Sequence, residues 1–186
     1  MGTGEPDPAL VLRARWGDKE AFGKLVVRYH QSVLAVAYRM TGSVAAAEDV
    51  AQTAFIRAWT ELGALREAGA FKSWLYRLVV NACLDQLRRE PAALPISDST
   101  LDEAGPPEAQ VLEHEREHAV RQAILQLPAE CRAALILREF EGLTYREIAQ
   151  TLAIPLGTVM SRLSYARARL RAMLGAYLSP EAGPWR

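Results

Sequence analysis

Apolar residues recur at steps of three and four along almost the whole chain, and no stretch alternates apolar and polar residues as a half-buried strand would. The longest such series is Phe22, Leu25, Tyr29, Val33, Val36 and Met40, preceded by Asp18 as a candidate N-cap and closed by Gly42. The pattern predicts helices over 22–40, 43–62 and 71–90, with a shorter one before them at 9–16. It lapses over 91–107, where four prolines (Pro91, Pro95, Pro106, Pro107) stand among Asp98, Asp102 and Glu103 and mark a linker. Helical spacing returns over 108–127, is stopped by Pro128, and continues at 129–140, 144–152 and 158–177. The expected fold is all-α. It comprises an N-terminal helical domain over 9–90, a flexible acidic linker over 91–109 and a small C-terminal helical domain over 110–178.

The chain carries 22 Lys+Arg and 22 Asp+Glu, but the neutral total hides an asymmetry. Residues 1–93 hold 12 bases and 10 acids, 94–120 one base and seven acids, and 121–186 nine bases and five acids. Two basic ends flank an acidic middle, which suits partners that carry phosphate. Cys83 and Cys131 lie far apart in no CxxC or Cys/His cluster, so a disulfide framework and a cysteine-based zinc site are excluded. No apolar run approaches the roughly 18–20 residues of a membrane span, and residues 1–8 carry acids and prolines, unlike a signal peptide. The expected compartment is the cytoplasm.

The C-terminal half carries the sharpest motif, TYREIAQTLAIPLGTVMSRLSYARARLRAML over 144–174. Thr144 and Glu147 fit a capping box. Ile148, Ala149 and Leu152 form the inner face of a short helix, and Ile154-Pro155-Leu156-Gly157 reads as a tight turn. Val159, Leu163, Ala166, Leu170 and Met173 line the inner face of a second helix. This is the pattern of a helix-turn-helix. Thr158, Ser161, Arg162 and Tyr165 lie on the other side of the second helix, where a recognition helix meets base edges. Arg167, Arg169 and Arg171 follow, with no acid from Pro155 to Leu174, and guanidinium forks suit phosphate oxygens and guanine edges. A solvated basic αα-hairpin has the same spacing; turn, cap, inner face and basic outer face together favour duplex DNA.

Two N-terminal segments also carry polar patterning. In 43–62 an apolar face (Val44, Ala47, Val50, Ala51, Ala54, Ala58) backs a second stripe of Glu48, Gln52, Phe55 and Trp59. Such a helix packs on its own domain and on a partner, or sits at the centre of a bundle; periodicity alone leaves both open. Residues 71–89 interleave Phe71, Trp74 and Tyr76 with Lys72, Arg77, Arg88 and Arg89, a mixture suited to single-stranded nucleic acid. Trp74 keeps step with Leu78 and is assigned to the core. Asn81 is either a satisfied semi-buried amide or a base reader.

The segments AEDVAQTAFIRAW (47–59), FKSWLYRLVVNACLDQLRR (71–89) and LPAECRAALILREFEGLTYREIAQTLAIPLGTVMSRLSYARARLR (127–171) together resemble bacterial RNA polymerase sigma factors of the extracytoplasmic-function (ECF) group. The resemblance spans about 9–90 and 110–175. It implies a region-2-like domain, a region-4-like domain and promoter-specific transcription initiation rather than enzymatic catalysis. Core RNA polymerase would bind the helix over 43–62, through Glu48, the Asp-x-x-Gln pair Asp49 and Gln52, and Phe55. The −10 element would be recognised and melted by the helix over 71–89 and the loop 63–70 before it, with Arg66, Lys72, Arg77, Asn81, Arg88 and Arg89 on the strand. The −35 duplex would be read by Thr158, Ser161, Arg162, Tyr165 and Arg167. The acidic linker would thread toward the active-site and RNA-exit channels. One departure stands out: Met160 precedes the Ser161-Arg162 pair where relatives often carry a base. The implied partners are core polymerase, promoter DNA and an anti-sigma factor, commonly membrane-bound, with a monomer outside such complexes.

Two other classes fit less well. A regulator with a phosphorylated sensor domain needs a βα pattern, which is absent. An enzyme needs a nucleophile–base pair, a phosphate-binding loop or an HExxH motif, none of which is present. His114 and His118 sit four apart in an acidic stretch without a third ligand. Neither a metal nor a cofactor is expected.

Overall fold

The computed structural model describes residues 5–89 and 108–175. Among them lie eight α-helices and no strand: α1 (Asp7–Arg15), α2 (Lys19–Thr41), α3 (Val44–Glu61), α4 (Phe71–Arg89), α5 (Glu108–Leu125), α6 (Ala129–Glu139), α7 (Tyr145–Leu152) and α8 (Leu156–Leu174). Of the segment expected to be a linker, 91–109, residues 91–107 fall outside the described residues.

The local signals account for most boundaries. The Asp18 carboxylate accepts the Ala21 N–H at 3.0 Å and starts α2, and the Ser43 hydroxyl does the same for Ala46 at 3.3 Å and starts α3. Thr144 and Glu147 form the full capping box of α7, which holds the Glu147 carboxyl below its ordinary range through the Thr144 backbone N–H and then its hydroxyl. The turn before α8 differs from expectation. Pro155 occupies the N-cap, its fixed φ of −58° leading straight into the helix, so α8 begins at Leu156 rather than Thr158. The left-handed residue is Ala153, at φ 53°, and Gly157 lies within the helix.

α1 to α4 form the N-terminal bundle and α5 to α8 the C-terminal one. Helices α2 and α4 also pack against α5, α6 and α7 of the C-terminal bundle, and the buried residues of both halves form one continuous cluster. Gly42 sits at that seam. It caps α2 at φ 76°, and a Cβ there would lie 2.8 Å from a Leu125 methyl carbon. Gly42→Ala is therefore expected to cost about 1–2 kcal/mol from the left-handed backbone alone, with displacement of Leu125 in addition. A urea titration compared with wild type checks this; an unchanged midpoint would refute it.

Candidate protein and nucleic-acid interfaces

Helix α3 is built to be covered on one side. Ala47, Val50, Ala51, Ala54 and Ala58 are buried, and the small alanines let α2 and α4 approach closely. Val44, expected on this face, is exposed: it is the first residue of the helix, which is covered only from Ala47 onward. The other side presents Glu48, Asp49 and Gln52 to solvent. Phe55 lies beside them. It is half-buried and stacks on His30, with ring centroids 6.4 Å apart, while Trp59 packs on Phe22 at 5.0 Å. Ile56 lies on the same outer face at 58% exposure and went unnoticed in the sequence, although it stands one helical turn beyond Gln52. The candidate face is thus a polar strip with an apolar residue at its centre, the make-up of a protein-binding surface.

On α4 the aromatic residues are core: Phe71, Trp74 and Tyr76 are buried, and Phe71 meets Tyr29 edge-on at 5.6 Å. Arg77, Asn81 and Arg88 are exposed and recur at steps of four and seven, which places them on one stripe; Arg89 is exposed beside it. The exposure of Asn81 resolves its alternatives against a buried amide. Arg88 is partly occupied by Asp85 at 3.3 Å. Lys72 lies apart from this stripe: its Nζ donates to the Glu141 carbonyl at 3.4 Å. Arg66 is exposed on the loop before α4, which is pinned by two 3-10 turns and the buried side chains of Leu62 and Leu65. Arg57, Asp85 and Arg89 line a polar cleft shared with Asp49 of α3, so the two candidate surfaces adjoin.

The second helix of the helix-turn-helix, α8, buries Val159, Leu163 and Ala166. Ser161 and Tyr165 face solvent, whereas Thr158 and Arg162 are half-buried at the flank. Arg167 is drawn inward: it donates to Glu139 at 2.8 Å and to the Tyr145 hydroxyl at 3.2 Å, bracing α6, α7 and α8 together. Arg169 and Arg171 are exposed. Leu156 and Met160 are also exposed, at 41% and 54%.

A third arrangement connects the bundles. Arg132 is only 7% exposed, and its guanidinium donates to the carbonyls of Met40, Leu125 and Leu127. Tyr76 donates to the Glu141 carboxylate; burial first and then that carboxylate push the phenol far above its ordinary pKa, so it stays protonated. Arg39 stacks on Phe140 at 4.1 Å, and Arg121 donates to the Tyr38 hydroxyl at 2.5 Å. Sequence reasoning passed over Arg132. The available signal was its position one helical turn before Ile136, on the inner side of an apolar helix.

Among the described residues no cluster of three His, Cys, Asp or Glu is arranged to hold a metal. His118 is exposed beside Gln122 at 3.5 Å, and the side chain of His114 falls outside the described residues. Cys83 is buried, which pushes its thiol up to about 12 and keeps it protonated at neutral pH. Cys131 is only half-buried. No described helix is long and apolar enough to cross a membrane.

Comparison with known proteins gives a consistent result. Residues 25–92 match the family model for sigma-70 region 2, and residues 117–170 match that for sigma-70 region 4. The RNA polymerase sigma-H factor of Pseudomonas aeruginosa is 41% identical over 179 residues, covering 90% of this chain and 93% of its own. The ECF RNA polymerase sigma-E factor of Escherichia coli is 38% identical over 173 residues, with 87% and 90% covered. Among solved structures, CnrH in complex with the cytosolic domain of CnrY aligns with a TM-score of 0.71 at 28% identity, covering 91% of this chain and 97% of that one. The sigma factor RpoE of Bartonella quintana, solved with the anti-sigma factor NepR, shares the fold at a TM-score of 0.65 and 23% identity, covering 83% and 96%.

Proposed function

Because this chain belongs to the sigma-70 family, in its ECF group, and so directs promoter-specific transcription initiation with core RNA polymerase, we propose how its surfaces divide that work. The outer face of α3, with Glu48, Asp49, Gln52 and Phe55, docks on core polymerase. The stripe Arg77, Asn81 and Arg88, with Arg89 beside it and Arg66 on the loop before it, receives the melted −10 strand, while Lys72, on another side of α4 and engaged by the Glu141 carbonyl, stands outside this stripe. The outer side of α8 reads the −35 duplex through Ser161 and Tyr165, with Thr158 and Arg162 at the flank and Arg167 bracing the helix it belongs to. We assign residues 9–90 to polymerase and the −10 element, 110–178 to the −35 element, and 91–109 to the segment between them. The protein is a cytoplasmic initiation factor rather than an enzyme, and a monomer when unbound. Its counterpart in the cell is an anti-sigma factor; the solved complex of the similar CnrH with the cytosolic domain of CnrY supports a partner of this kind.

The observation that carries this reading is the adjacency of an exposed polar–apolar face on α3 to an exposed basic stripe on α4 within one rigid bundle. It brings a protein partner and a nucleic-acid strand side by side. The division of labour is tested by promoter binding and permanganate-detected opening. Arg162→Ala is expected to relax preference at one or two upstream base pairs, by about 1–3 kcal/mol per bidentate contact. The Arg88→Ala/Arg89→Ala pair is expected to keep upstream preference and open promoters poorly. The reverse pattern would overturn the assignment.

A further inference from the structure

The exposed side of α8 does not have the chemistry of a purely polar reader. Its centre is made of small residues, Gly157, Ser161, Ser164 and Ala168, all exposed, with the bulky Tyr165 beside them only past the second turn, so the first turns of the helix can approach the floor of a groove. One flank, in the N-terminal half where a recognition helix meets bases, carries Leu156 and Met160 four residues apart. Both are exposed apolar side chains on a helix without an acid. Arg167, which follows on that same flank, is held by Glu139 and Tyr145. The next cation along this flank is thus already engaged within the protein.

The apolar group that a DNA major groove offers is the C5-methyl of thymine. We propose that Met160, supported by Leu156, reads a thymine methyl in the upstream promoter element, so that this chain requires an A·T pair at a position where a basic residue would select guanine. The inference rests on the assignment of α8 to the upstream duplex. A long, unbranched thioether suits the task, since it adapts its rotamers to a methyl group without presenting a polar atom that needs a partner. The positive charge of Arg171, exposed further along the same side of the helix as Met160, supplies the attraction to phosphate that holds this edge in the groove.

The experiment replaces thymine by deoxyuracil, one position at a time, through the upstream element, with holoenzyme assembled from core polymerase and either wild-type protein or Met160→Ala. Removing one methyl is expected to weaken wild-type binding roughly three- to fivefold at one or two positions. At those positions the Met160→Ala holoenzyme should not distinguish thymine from uracil. Each ratio is internal to one variant, so a loss of folded protein cancels. In a randomised upstream element, Met160→Arg should move the preferred base at that position from thymine to guanine. Equal uracil sensitivity in wild type and Met160→Ala at every position would overturn the methyl contact while leaving α8 as the upstream reader. Insensitivity of both holoenzymes to every upstream base change would overturn that assignment itself. Loss of core-polymerase association by Met160→Ala would assign the apolar edge to a protein and overturn the proposal.

Discussion

Arg132→Ala is expected to lower the unfolding free energy by about 3 kcal/mol and to loosen the two bundles from one another. Hydrogen bonds from a charged donor each contribute on the order of 1.5–3 kcal/mol, and Arg132 makes them to Met40, Leu125 and Leu127 from a nearly buried position. The total is below the sum because freed carbonyls at helix ends regain water. The Met40 carbonyl belongs to the end of α2 and the other two to the end of α5 and the turn that follows, so a single side chain ties together three segments. The check is a urea titration together with small-angle scattering on the free protein: a lower midpoint and a larger radius of gyration. Arg132→Lys should fall between the two, since an ammonium keeps the charge but loses the planar fork. A wild-type midpoint in the alanine variant would refute the role.

The second large effect is expected on polymerase binding. Asp49→Ala combined with Gln52→Ala should reduce affinity for core polymerase about ten- to a hundredfold, the loss of one or two strongly contributing interface side chains. Both residues are exposed, so stability should change by no more than about 0.5 kcal/mol. Ile56→Ala should weaken the same interaction, because an apolar residue ringed by polar ones is the usual anchor of such a face. Competition binding to core polymerase, with circular dichroism as the control for folding, measures both. Unchanged affinity in the double variant would reject α3 as the docking face.

Much of this arrangement is legible in the residues. The series from Phe22 to Met40 sets α2, and Asp18, Gly42, Ser43 and Thr144 bound their helices by chemistry that acts within a few residues. Ala153 could not be read the same way: its left-handed backbone closes α7, with the Ile154 N–H donating to the Ala149 carbonyl at 3.0 Å, and alanine carries no local preference for it. Val44 failed for a related reason, since periodicity assigns a face but not where a neighbouring helix begins to cover it. The candidate surfaces were legible by type and less so by exposure. Arg167 and Lys72 look like free cations in the sequence, yet Glu139, Tyr145 and the Glu141 carbonyl, all distant in the chain or across a turn, engage them. Contacts between residues as far apart as Tyr76 and Glu141 leave no local pattern.

The contact between Arg132 and Met40 spans 92 positions in the chain, and a ribosome adds about 5–20 residues each second. The carbonyl end of α2 is therefore made roughly 5–20 s before the guanidinium that will cover it. From the completion of α4 at Arg89 until Arg132 is made, the first bundle has all its helices but is open along the seam at Gly42, with Tyr38, Arg39 and Tyr76 not yet covered by the second bundle. A nascent chain at this stage presents the α3 and α4 faces without the second bundle packed beside them. Any protein that binds at the seam has its best access then, before release of the finished polypeptide.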